Sequence, residues 1–225
     1  MQGLRSRMVR VVVMVTAALL LALIAGCGTA ASTSGSAATV PTATPMGGPG
    51  VKTIYFAGGC FWGTQKYFDQ IHGVKATEVG YANGASNSAT YGDGSGYAEA
   101  VRVDYDPAVA PLPFLLRMFY LAIDPTTLNR QGNDVGTEYR SGIYYTDPAE
   151  LAAIKASLAG LQTQFNATIA IETGPLKNYV AAEGYHQKYL VKNPGGYCHI
   201  PLNLFAQAAA ARPVASDFAT GAITP

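Results

Sequence analysis

At 225 residues, 49% hydrophobic and 13% charged, the chain is long enough to bury one sizeable core with sequence to spare. The formal net charge is +1, and three of the fifteen basic residues, Arg5, Arg7 and Arg10, crowd the first ten positions; without them 12 basic side chains stand against 14 acidic ones. No basic patch points to nucleic acid, and the three cysteines, Cys27, Cys60 and Cys198, form no Cys-x-x-Cys pair and lack the paired histidines of a zinc site.

Behind the basic start, Val11 to Ala25 is an apolar run shorter than a comfortable bilayer span. It ends in Leu23-Ile24-Ala25-Gly26-Cys27. That ending resembles the lipobox of bacterial lipoproteins, where a peptidase cuts before the cysteine and the cysteine is lipidated. Residues 1–26 therefore read as a lipoprotein signal peptide, and acyl chains on Cys27 would hold the protein to an extracytoplasmic membrane surface. An ordinary secretory signal or an uncleaved anchor is the alternative. Residues 27–50, rich in Ala, Ser, Thr, Gly and Pro and free of charge, read as a flexible tether.

A globular domain is expected over 51–211. Lys52 to Ala57 reads as a strand, Gly58-Gly59 as a sharp turn and Phe61 to Ile71 as a helix. Cys60 would then sit at a helix start, where unpaired N–H groups favour a thiolate nucleophile; a buried structural cysteine is the bland alternative. Glu78 to Tyr81 reads as a short strand and Ala82 to Gly96 as a loop. Tyr97 to Tyr105 alternates as a strand that puts Glu99 with Val101, Val103 and Tyr105 on an apolar face, and Arg102 and Asp104 on the other. Burial without a cation would keep Glu99 protonated and able to act as an acid; at a half-exposed strand end it would be inert.

Pro111 to Ile123 reads as a helix, Thr126 to Glu138 as a loop, Tyr139 to Tyr145 as a strand, and Asp147-Pro148-Ala149-Glu150 as the capped start of a helix reaching Phe165. A strand is expected over Thr168 to Glu172 and a last helix over Ala181 to Val191, carrying His186 in a packing role or as an orienting group. Cys198 follows the Gly-rich turn Asn193 to Tyr197, and residues 212–225 read as a disordered tail. The mixed order of elements implies an α+β two-layer sandwich with a mixed sheet.

Five segments carry a family resemblance. Gly59-Cys60-Phe61-Trp62-Gly63, Gly80-Tyr81-Ala82-Asn83-Gly84, Ala98-Glu99-Ala100-Val101 with Tyr105-Asp106-Pro107, Asn133 to Ser141, and Tyr185-His186-Gln187-Lys188-Tyr189-Leu190 resemble, in order, the motifs of the A-type peptide methionine sulfoxide reductases. The likeness runs from about Lys52 to about Phe205. It implies a ferredoxin-like α+β fold with a coil-rich C-terminal segment over the site, and reduction of methionine S-sulfoxide, protein-bound or free.

In the roles that the resemblance implies, the Cys60 thiolate attacks the sulfoxide sulfur and Glu99 protonates the oxygen. Tyr91 and Tyr139 hydrogen-bond that oxygen, Phe61 and Trp62 hold the S-methyl group, and Asp134 orients the site. Cys198 then attacks a sulfenic acid on Cys60 to give a disulfide, which a thioredoxin-like dithiol reduces. No metal or organic cofactor is implied, and a monomer is expected. The chain departs from the family pattern at Tyr97, where histidine is usual, at Gln65, where glutamate is common, and in a shortened segment between Tyr91 and Glu99. Two other classes use the same thiols: a different thiol enzyme, which needs neither Glu99 nor the aromatic wall, and a non-enzymatic lipoprotein with a structural Cys60–Cys198 bridge.

Overall fold

The computed structural model of the protein describes residues 45–46, 48–86, 88–93 and 95–219. The expected signal peptide, Cys27 and most of the expected tether lie outside them. In chain order the elements are β1 (Lys52–Gly58), α1 (Phe61–Phe68), β2 (Val74–Ala82), β3 (Ala98–Tyr105) and α2 (Leu112–Ala122). A two-rung ladder of β4 (Arg130–Gln131) and β5 (Asp134–Val135) follows, then β6 (Ser141–Tyr145), α3 (Leu151–Gln162), β7 (Glu172–Pro175), β8 (Tyr179–Ala181), α4 (Tyr189–Lys192) and α5 (Leu202–Ala210).

Six strands form one sheet in the order β7-β6-β1-β3-β2-β8. Every pair is antiparallel except β6 with β7, which run parallel with Gly142 opposite Glu172. The inner unit β1-α1-β2-β3-α2-β6, with β3 between β1 and β2, is the split βαβ arrangement of ferredoxin-like folds. The expected α+β sandwich with a mixed sheet is therefore the observed architecture. Helices α1 and α2 cover one face, where Phe56 packs between Phe68 at 4.7 Å and Phe119 at 4.8 Å between ring centroids. Removing such a fully buried ring costs about 3–5 kcal/mol, so this contact holds α1 firmly against β1, and with it the turn between them.

Several expectations from sequence need correction. Residues Ala181 to Val191 are not a helix. Tyr179–Ala181 pairs instead with β2, Tyr81 facing Val180, and the Gln187 side chain continues that pairing by donating to the Val79 carbonyl at 2.8 Å and accepting from the Val79 N–H at 3.0 Å. A helix there would leave the β2 edge unpaired; only Tyr189–Lys192 is helical, after Lys188 in a left-handed conformation (φ 55°). The strand expected over Thr168 to Glu172 begins only at Glu172, because the Ile169 and Ala170 N–H groups bond to Gln162 Oε1 and the Pro125 carbonyl.

The Arg102 and Asp104 face of β3 is buried too: the two side chains pair at 3.1 Å, and Thr53 and the Met46 N–H, each at 2.6 Å, also bond to Asp104. The C-terminal part, expected to be coil-rich, holds the helix α5, whose Phe205 ring lies under the Lys66 ammonium at 5.1 Å. Residues 212–219 are not frayed, since Ala215–Phe218 forms a 3₁₀ turn tied to α2 by Arg117 and Asp217 at 2.7 Å.

Candidate active site

Cys60 stands where the sheet hands over to its first helix. Gly59 takes φ +76°, and a Cβ there would meet Gln131 Cβ at 2.5 Å, so only glycine makes this turn without displacing its neighbour. Cys60 is then the residue preceding the first turn of α1 and is only 6% exposed. β3 lies beside β1, and its Glu99, 4% exposed, accepts the Phe61 N–H at Oε2 (2.9 Å). Strand pairing thus places the carboxyl at the N-terminus of the helix that begins with the residue after Cys60.

The electrostatics differ from the sequence expectation for one group and match it for the other. Burial dominates at Cys60 and pushes its thiol well above the usual range; the Glu99 charge adds to this, and the Trp62 and Gly63 N–H groups oppose it. Two N–H dipoles at the start of an eight-residue helix do not offset the loss of water, so the resting group is a thiol and not the expected thiolate. Glu99 is pushed up to about 8, mainly by burial, with Asp134 and Glu138 adding to it and the Phe61 N–H opposing. At neutral pH it is protonated, and its repulsion of a Cys60 thiolate then falls away.

A hollow of about 220 Å³ opens on Glu99, bordered by Tyr81, Tyr91, Tyr97, Glu138 and Tyr139. Tyr91, 47% exposed, sits on the loop after β2 with the Tyr139 hydroxyl as its partner, and burial raises both phenols above the tyrosine range, so both stay protonated donors. The loop is held by Glu183, which accepts the Tyr91 N–H at 3.3 Å and the Tyr81 hydroxyl at 2.8 Å. Tyr97 is buried and donates its hydroxyl to the Ser86 carbonyl, tying the end of the shortened segment back to the loop before it. Gln65 is buried and uses both ends of its amide, donating to the Thr77 carbonyl at 3.4 Å and accepting from the Lys188 N–H at 2.7 Å; a carboxylate there could only accept.

Trp62 is half-buried and stacks on Tyr189 at 3.9 Å, while its indole N–H donates to His186 Nδ1 at 3.0 Å. His186 is therefore a group that fixes the indole. Phe61, 1% exposed, lies behind it against His186 and Tyr81, and so backs the site without lining it. Asp134 accepts the Tyr197 hydroxyl at 2.9 Å, which ties β5 to the segment just before Cys198.

Cys198 is half-buried, and both cysteines are free thiols. Its Sγ lies 2.8 Å from where a Cβ on Gly63 would stand, so the second thiol packs on the first turn of the helix that Cys60 precedes. Sequence reasoning passed over His199. Its two ring nitrogens are buried and make no hydrogen bond of good geometry among the described residues, with the Gly58 carbonyl the acceptor that faces the ring. Its position directly after Cys198 was the available signal. Among the described residues no group of three or more His, Cys, Asp or Glu is placed to hold a metal ion. A larger hollow of about 670 Å³ at the far end of β1, bordered by Lys52, Leu112, Glu150 and Phe218, touches none of the expected site residues.

The family model described as Peptide methionine sulfoxide reductase matches residues 52–217. A peptide methionine sulfoxide reductase MsrA of Lachnoclostridium phytofermentans is 54% identical over 153 residues, which span 66% of this chain and 92% of that protein. One of Clostridium perfringens is 51% identical over 157 residues, 68% of this chain and 100% of that protein. Among solved structures, Mxr1 from Saccharomyces cerevisiae in reduced form superposes with a TM-score of 0.64 at 38% identity, over 69% of this chain and 93% of that one. Methionine sulfoxide reductase A of Corynebacterium diphtheriae superposes with a TM-score of 0.61, also at 38% identity, over 68% of this chain and 79% of that one.

Proposed function

Because the chain belongs to the peptide methionine sulfoxide reductase family and so reduces methionine sulfoxide to methionine, we propose that it does so through a Cys60 nucleophile, a Glu99 proton donor and a Cys198 resolving thiol. The observation that carries this reading is Glu99, buried, protonated at neutral pH and hydrogen-bonded at the helix start beside Cys60. Oxide is a poor leaving group, so attack on the sulfoxide sulfur needs a proton delivered to the oxygen as the S–S bond forms; the oxygen departs as water, and water attacking the Cys60 sulfur then breaks that S–S bond, releasing the thioether and leaving the sulfenic acid. Glu99 gives that proton. The proton that Cys60 sheds on attack restores the carboxyl. The net change is thiol plus sulfoxide to sulfenic acid plus thioether, so no charge is left stranded in a dry site.

Tyr91 and Tyr139, both protonated and bordering the same hollow, are donors for the sulfoxide oxygen. Trp62, pinned by His186 and Tyr189, supplies apolar surface for the S-methyl group. Cys198 attacks the sulfenic sulfur, water leaves, and an exposed dithiol of the thioredoxin kind reduces the Cys60–Cys198 bond. The A-type family motifs support selectivity for the S epimer. On resolved epimers of a methionine sulfoxide peptide, turnover is expected for S alone; comparable turnover of R would refute this selectivity.

The basic start, the apolar run and Leu23 to Cys27 support export and lipidation at Cys27, with residues 27–50 as tether and the reductase domain held outside the cytoplasm. Cys27→Ala is expected to block maturation and shift the protein out of the detergent phase; unchanged processing and partitioning would remove the anchor.

A further inference from the structure

We propose that His199 is the proton carrier of the second half-reaction, taking the Cys198 thiol proton as that sulfur attacks the Cys60 sulfenic acid and passing it to the departing hydroxyl. The proposal rests on the roles assigned to Cys60 and Cys198 above. The step balances without a further reagent. A bond forms between Cys198 Sγ and Cys60 Sγ, the Cys60 S–O bond breaks, the thiol proton joins the hydroxyl as water, and the imidazole ends neutral as it began. The sulfenic sulfur is reduced and the thiol sulfur oxidised, each to the disulfide level.

The geometry is specific. The His199 ring lies across the turn that carries Cys60: its Nε2 is 3.2 Å from where a Cβ on Gly59 would stand, and its Nδ1 is 3.5 Å from the same point on Gly63. Cys198 Sγ presses on that same Gly63 position at 2.8 Å. Imidazole and resolving thiol thus meet at Gly63 in the first turn of α1, and neither Gly59 nor Gly63 has a side chain to obstruct them. Neither nitrogen makes a hydrogen bond of good geometry among the described residues, although the Gly58 carbonyl is near enough to hold an N–H, so one nitrogen can keep a proton and the other accept one.

The groups facing this space are few. Asp134 comes from β5, Tyr197 and Cys198 from the same segment as the histidine, and Cys60 and Lys66 from the α1 side. Burial lowers the His199 pKa more than Asp134 and the Gly58 carbonyl raise it, so the ring is neutral near pH 7 and ready as a base. The Cys198 thiol is itself raised by burial, so its attack needs such a base.

The test separates the two half-reactions. Full-length protein without reductant is mixed with a methionine S-sulfoxide peptide, and methionine release and loss of free thiols are followed by rapid quench from pH 5 to pH 8. In His199→Ala, and in His199→Asn, which keeps a polar side chain but carries no proton, methionine release should stay within about two-fold of the parent. Thiol loss should slow by about 10²-fold or more and lose the parent's inflection below the ordinary histidine range. Added imidazole should restore much of the rate to His199→Ala. Thiol loss within three-fold of the parent overturns the proposal. Parallel slowing of both steps, or no response to imidazole, also overturns it, because the residue is then structural. If the parent shows no burst of methionine, the assigned cysteine roles fail first and remove the step that His199 would serve.

Discussion

Cys60→Ser is expected to abolish even the first turnover, whereas Cys198→Ser should release about one methionine per enzyme and then stall with a protein dithiol as reductant. The two thiols differ in setting. Cys60 is buried beside Glu99 at the turn into α1, and Cys198 lies half-buried against Gly63 in the first turn of that helix. Only the first is near the proton donor that sulfoxide chemistry needs. In Cys198→Ser the sulfenic acid should persist on Cys60, and a small thiol such as dithiothreitol should restore part of the turnover because it can enter where a protein cannot. Mass spectrometry with a sulfenic-acid trap reads this directly. Trapped oxygen on Cys198, or normal cycling of Cys198→Ser with the protein reductant, would reverse the assignment.

Glu99→Gln should lower the first-step rate by about 10²–10⁴-fold, since the amide keeps hydrogen-bonding capacity but has no proton to give. The pH dependence has a definite sign. With a pKa of about 8 the carboxyl is an acid at neutral pH, so the parent's single-turnover rate should hold below that value and fall as pH rises through it. Glu99→Gln should lose this fall. Stability follows the same group. Its folded pKa lies above the unfolded value of about 4.3, so the fold favours the neutral form. Its contribution is complete below the unfolded pKa and is lost as pH rises through about 8. Urea unfolding at several pH values should therefore show Glu99→Gln losing less stability than the parent toward alkaline pH. Near-parent rates across pH 6–9 would take Glu99 out of the mechanism.

Much of this site was legible because its signals are local. A strand, two glycines and a cysteine before a helical stripe already place Cys60 at an exposed-backbone turn, and the period-two pattern of β3 puts Glu99 on the α-helical face. Tyr91, Asp134 and Tyr139 were found only through resemblance, since nothing in a polar loop's own chemistry says that it folds back over a strand end. What stayed hidden is non-local. Residues after Ala181 have helical spacing, yet the unpaired edge of β2 claims them, and Gln187 completes the pairing with a side chain. Arg102 and Asp104 look like a solvent face until the segment at Met46 crosses them. The protonated state of Cys60 follows from how many neighbours remove its water, a property of packing and not of the helix start beside it.

The two outermost strands have a consequence for the company this protein keeps. β7 has four residues, two of them Gly174 and Pro175, and β8 has three. Each edge therefore exposes a short row of unpaired backbone groups, and Pro175 contributes no N–H at all. Oxidised polypeptides are often loosened ones, whose extended segments add readily to any open ladder. A sheet with blunted margins offers such chains little to pair with.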